Sequence, residues 1–65
     1  MNITLNGQPV TTQAQTLAEL ITERSNEPTA VATAMNGAFV PVGLRANTPI
    51  ADGDQIEMLS PMQGG

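Results

Sequence analysis

Two Asn-Gly pairs, Asn6-Gly7 and Asn36-Gly37, do most to restrict what this chain can fold into. Both residue types tolerate positive φ. A two-residue turn that matches the right-handed twist of its flanking strands needs that at both central positions. Before the first pair, Met1, Ile3 and Leu5 alternate with Asn2 and Thr4, the period-two pattern of a half-buried strand. The pair therefore closes a hairpin whose second strand runs over about residues 8–12, with Val10 facing inward. Pro9 has no N–H to give to a ladder, so that strand belongs at a sheet edge. The second pair turns the chain between a strand over residues 31–35 and a short extended piece at Phe39-Val40, stopped by Pro41.

Between the hairpins the period changes. Thr16-Leu17-Ala18-Glu19 fits a capping box, hydroxyl and carboxylate each meeting an orphan amide of the first helical turn. Leu17, Leu20 and Ile21 then recur at helical spacing and give one apolar stripe. Glu19 and Glu23 lie four apart on the wetter side, where such pairs form a solvated face far more often than an acid/base couple. Ser25-Asn26-Glu27-Pro28 ends the helix, because the residue before proline is pushed out of the helical region. Residues 42–50, with Gly43, Asn47 and Pro49, read as a loop with a single helical turn around Leu44. Asp52-Gly53-Asp54 lacks the remaining ligands of a calcium loop and reads as a tight turn. It leads into a last strand over residues 55–60, Ile56 and Met58 facing the core and Glu57 and Leu59 outward.

The order is hairpin, helix, strand, short strand, strand. The expected fold is α+β: a mixed four- to five-stranded sheet with one helix packed across one face, the first and last strands side by side in the middle. Thr33 stands where a larger apolar residue belongs. Either its hydroxyl bonds a neighbouring backbone group, or the register is displaced by one, which would turn the whole strand over.

Composition excludes several functions. At 65 residues the chain makes one small domain, in which roughly 60 % of the unfolded surface is buried. There is no cysteine and no histidine, hence no thiolate nucleophile or disulfide and no side chain of ordinary pKa suited to acid/base work at neutral pH. Arg24 and Arg45 are the only cations against six carboxylates, a net charge of −4, and Phe39 is the sole aromatic. Nucleic-acid binding needs a basic footprint and stacking rings, whereas an acidic surface suits a basic patch on a protein partner. No Gly-rich phosphate loop followed by lysine is present. The first residues do not resemble a secretion signal, and no apolar run approaches a membrane span. The expectation is a cytoplasmic protein, monomeric when free, with no catalytic side chains.

What remains is the end, Pro61-Met62-Gln63-Gly64-Gly65. Residues 1–60 are expected to form the folded domain and residues 61–65 a flexible tail. Glycines lack Cβ, so this backbone could stay extended in a narrow channel. A terminal carboxylate, with a reference pKa of about 3.5, is already an oxygen nucleophile at neutral pH. The other reading is a frayed, inert end.

Ala34-Met35-Asn36 with Val40-Pro41 shortly after, then Asp52-Gly53-Asp54-Gln55-Ile56-Glu57, and finally Gly64-Gly65 together resemble the ubiquitin-like β-grasp sulfur carriers, most closely the ThiS family of thiamine biosynthesis. The likeness spans nearly the whole chain. It implies that Gly65 carries sulfur as a thiocarboxylate, after activation as an acyl-adenylate. Gly64, Gln63 and Met62 would take it into partner active sites. The implied partners are a ThiF-type adenylyltransferase that uses ATP and magnesium, a sulfur donor such as a cysteine desulfurase, and a ThiG-type thiazole synthase. The carrier would then be a co-substrate, with no bound cofactor or metal. Leu59 and Phe39 are candidates for partner docking, although a lone aromatic in so small a domain is as often core. Three further readings stand beside this one: a molybdopterin-synthase small subunit, a modifier conjugated through Gly65, and an interaction module with an inert tail.

Overall fold

The computed structural model describes residues 1–60. Strands β1 (Asn2–Leu5) and β2 (Gln8–Thr11) form the first hairpin, helix α1 (Leu17–Arg24) follows, β3 (Ala32–Met35) and β4 (Ala38–Val40) form the second hairpin, and β5 (Gln55–Leu59) comes last. They make one five-stranded sheet in the order β2-β1-β5-β3-β4. This is the mixed β-grasp sheet: β5 runs parallel to β1 and antiparallel to β3. Both Asn-Gly turns take positive φ at both residues, with φ of 53° and 80° at Asn6 and Gly7, and 52° and 87° at Asn36 and Gly37. Pro9 lies on edge strand β2 as expected, opposite Thr4.

Ile3, Leu5, Leu17, Leu20, Ile21, Val31, Ile50 and Ile56 bury one apolar core between α1 and one face of the sheet. The inward set on β5 is the expected one, with Ile56 buried and Met58 packed against the core. Thr16 caps α1 through its hydroxyl, which accepts from the Glu19 N–H at 3.2 Å. The other half of the box is displaced by one residue: the Glu19 carboxylate accepts from the N–H of Gln15, ahead of the cap, at 2.8 Å. That shift suits a chain entering the helix from a bridge between Thr16 and Pro49.

Several expectations need correction. Three strands are shorter by a residue, β2 and β5 ending at Thr11 and Leu59 and β3 starting at Ala32, while β4 is longer by one and starts at Ala38. Residues 28–30 form an unforeseen turn of 3-10 helix, with Pro28 where its missing N–H is harmless. Around Leu44 the expected single turn is a six-residue 3-10 helix, Val42–Asn47.

That second 3-10 helix carries Arg45, which sequence reading treated only as a charge. It is buried, 3 % exposed. Its Nε donates to Thr33 Oγ1 at 2.9 Å and its Nη1 to the Pro28 carbonyl at 2.8 Å, while Nη2 donates to the Val31 carbonyl. Thr33 Oγ1 in turn donates to the Val40 carbonyl at 2.8 Å. Thr33 therefore faces the interior in the expected register, and a displaced strand is ruled out. Its hydroxyl is the junction of a polar network that ties β3, β4 and both 3-10 helices together. The planar guanidinium, with five donors in a fixed fork and weak hydration, suits such a site better than an ammonium.

Candidate functional site

Among the described residues, no helix lies over the sheet face away from α1. Alternation puts Ala32 and Ala34 of β3, Phe39 of β4, and Glu57 and Leu59 of β5 on this face. The register sets Ala34 opposite both Phe39 and Glu57, and Ala32 opposite Leu59. The two small alanines leave a shallow trough, and Phe39 and Leu59 rise on either side of it. The resulting groove has a volume of about 110 Å³ and is lined by these five residues and Thr33. Phe39 and Leu59 are each 69 % exposed. The core reading of Phe39 is thereby overturned: its position on β4 has the outward parity, opposite an outward Ala34. The structure brings the two docking candidates, from residues 20 apart in sequence, to opposite walls of one groove.

Glu57 also borders a second, more polar cleft of about 380 Å³ between the two Asn-Gly turns, lined by Thr4, Asn6, Gly7, Gly37, Gln55 and Ile56. The open face thus carries a carboxylate between an apolar groove and a polar one. Neither arginine contributes to it: Arg45 is sealed beneath β3 and Arg24 closes α1. Exposed apolar surface rimmed by polar groups marks a binding surface, and the charge here favours a basic counterpart.

Four of the other carboxylates are engaged in structure. Asp52 Oδ1 accepts from the Asn2 N–H and Asp54 Oδ2 from the Ala51 N–H, so the Asp52-Gly53-Asp54 segment is a turn that locks itself to β1. Glu23 accepts from the Thr12 hydroxyl at 2.8 Å, and Glu19 is spent on the cap. A depression on the helix side, lined by Gln13, Ala14, Ala18, Glu19, Thr22 and Glu23, therefore holds no idle acid/base pair. No helix among the described residues is long and apolar enough to cross a membrane. Met62, Gln63, Gly64 and Gly65 lie outside the described residues. The groove borders the last described strand, so whatever docks there meets the chain just before that segment.

Comparison with known proteins agrees with this architecture. The ThiS family model matches residues 3–65. A crystal structure of a thiamine biosynthesis protein (ThiS) from Geobacter metallireducens is similar at a TM-score of 0.81 and 32 % identity, with 100 % of both chains covered. A solution NMR structure of a thiamine biosynthesis protein from the same organism is similar at a TM-score of 0.83 and 30 % identity, covering 100 % of this chain and 88 % of that one. No curated protein matches the chain.

Proposed function

Because this chain belongs to the ThiS family, we propose that it is a cytoplasmic sulfur carrier of thiamine biosynthesis whose Gly65 carboxylate is the group that bears sulfur. The observation that carries this reading is the family match over residues 3–65, which takes in the Gly64-Gly65 pair. A carboxylate accepts sulfur poorly until one oxygen becomes a good leaving group. In the proposed sequence a Gly65 carboxylate oxygen attacks the α-phosphorus of ATP, held with magnesium by a ThiF-type adenylyltransferase, and pyrophosphate leaves. Hydrosulfide then attacks the acyl carbon of the adenylate. Where sulfur arrives instead as a cysteine desulfurase persulfide, its terminal sulfur attacks, and a second thiol reduces the resulting acyl disulfide to the thiocarboxylate, itself becoming a disulfide. AMP departs with the C–O bond, and a thiocarboxylate remains for a ThiG-type thiazole synthase to use. The protein is the co-substrate of these enzymes and supplies no catalytic side chain.

Incubation with such an adenylyltransferase, magnesium, ATP and sulfide should raise the intact mass by the difference between one sulfur and one oxygen. An unchanged mass under conditions in which the enzyme exchanges pyrophosphate into ATP would refute the assignment.

On this reading the Phe39–Leu59 groove receives an apolar side chain of the adenylyltransferase, and Glu57 faces a basic residue beside it. Phe39→Ser and Leu59→Ser should each leave stability within about 0.5 kcal/mol, as is usual for exposed positions. Each should raise KM for the carrier by about tenfold, the equivalent of about 1.4 kcal/mol of binding. Unchanged KM in both variants would move the docking surface elsewhere.

A further inference from the structure

β5 is gripped at both ends by the asparagines of the two Asn-Gly turns. Near its start, Asn36 Oδ1 accepts from the Gln55 N–H at 2.9 Å, and the Asn36 N–H donates to the Gln55 carbonyl at 2.7 Å. Near its end, Asn6 acts through its side chain. Nδ2 donates to the Met58 carbonyl at 3.1 Å and Oδ1 accepts from the Met58 N–H at 2.8 Å.

Geometry explains the second grip. The backbone ladder between β1 and β5 proceeds through Thr4 N–H to Asp54 O, then Asn6 N–H to Ile56 O, at 3.0 and 2.9 Å. At Asn6 the chain turns away at positive φ, so β1 has no further peptide to offer. The carboxamide presents one donor and one acceptor, the same pair a peptide would. It carries the ladder one step further, to the residue three before Pro61.

We infer that Asn6 is a positioning residue for the carrier reaction: it fixes the point on the sheet from which the C-terminal segment starts. This rests on the sulfur-carrier reading above. Without the clamp the β5 end would be held only by its pairing with β3, which lets that origin shift, and small displacements of a reacting group are costly. Asn6 does not line the Phe39–Leu59 groove, which lies on the β3–β4 side of β5, but only the neighbouring polar cleft. Loss of the clamp should therefore appear in kcat rather than KM.

Asn6→Gly keeps the positive φ and removes the carboxamide. Asn36→Gly is its control, removing two side-chain bonds at the far end of the same strand, one to the Gln55 N–H and one to Asp54 Oδ1 just before it. The probe reaction is thiocarboxylate formation with adenylyltransferase, magnesium, ATP and sulfide. Asn6→Gly should lower kcat by about tenfold at nearly constant KM, while Asn36→Gly stays within about twofold of wild type, although both should melt somewhat lower. Amide hydrogen exchange of Met58 should accelerate in Asn6→Gly only. Asn6→Asp, which retains the acceptor for the Met58 N–H, should recover part of the rate and decides the matter if Asn6→Gly is too unstable. Wild-type kcat in both Asn6 variants, equal losses from the two glycine substitutions, or undiminished Met58 protection would overturn the inference. Failure of the wild type to gain sulfur would instead refute the carrier reading, and Met58 exchange would still test the clamp.

Discussion

Removal of Gly65 is expected to abolish thiocarboxylate formation while leaving the folded domain intact. The core draws on residues 3–56, and the polar networks described above involve no residue after Met58. Nothing in them requires the last residue, so melting should be unchanged within error. Chemistry is different. Ending the chain at Gly64 moves the carboxylate back by one residue, about 3.5 Å of extended backbone. Displacing a reacting group by as little as about 1 Å can cost about 100-fold in rate, so a full residue should extinguish the reaction. Gly65→Ala keeps the length and adds one methyl group. It should react measurably but slowly if the channel around the terminus is narrow. Intact-mass measurement over a time course separates the three proteins. A Gly65-deleted chain that acquires sulfur at the wild-type rate would show that the terminus is not the reactive group.

The second large effect concerns stability. Arg45→Ala should unfold the protein or bring it close to unfolding. The substitution strands the Pro28 and Val31 carbonyls, removes a donor from the Thr33 hydroxyl and leaves a cavity in a very small core. Each buried polar group left unpaired costs about 1–3 kcal/mol. The sum approaches the total stability of such a domain, which at about 0.05–0.15 kcal/mol per residue is only a few kcal/mol to about ten. Where a folded population survives, its Tm should drop by at least about 10 °C, since 1 kcal/mol corresponds to about 4–8 °C in a domain of this size. Arg45→Lys should fall between, because an ammonium keeps the charge without a fork that reaches three acceptors. Thr33→Val isolates the junction: the shape is kept, but the Val40 carbonyl loses a donor and Arg45 Nε its acceptor. A Tm for Arg45→Ala within a few degrees of wild type would mean that the network contributes little to stability.

Arg45 also marks the limit of sequence reading. Its neighbours Leu44, Ala46 and Asn47 set no period, and its partners are 12 to 17 residues away. The one available signal was Thr33, a polar residue at an inward position that called for a bonding partner. One of the two explanations offered for it was correct, a bond to neighbouring backbone, but the guanidinium on its other side was not anticipated. Phe39 shows the same boundary. Its outward parity follows from a strand that begins at Ala38, one residue earlier than composition suggested, and a lone aromatic invites burial on average.

Features that depend on a residue and its near neighbours were therefore legible in the sequence. Positive φ at the two Asn-Gly turns, the threonine cap of α1, the inward sets of β1 and β5 and the edge placement of Pro9 follow from steric and hydrogen-bonding rules acting over a few positions. Other features depend on which segments meet. The buried Arg45, the groove between Phe39 and Leu59 and the hold of Asn6 on Met58, 52 residues away, exist only once the sheet has closed in the order β2-β1-β5-β3-β4. Their partners are chosen by strand order and register, which no local pattern encodes. The tertiary structure alone decided them.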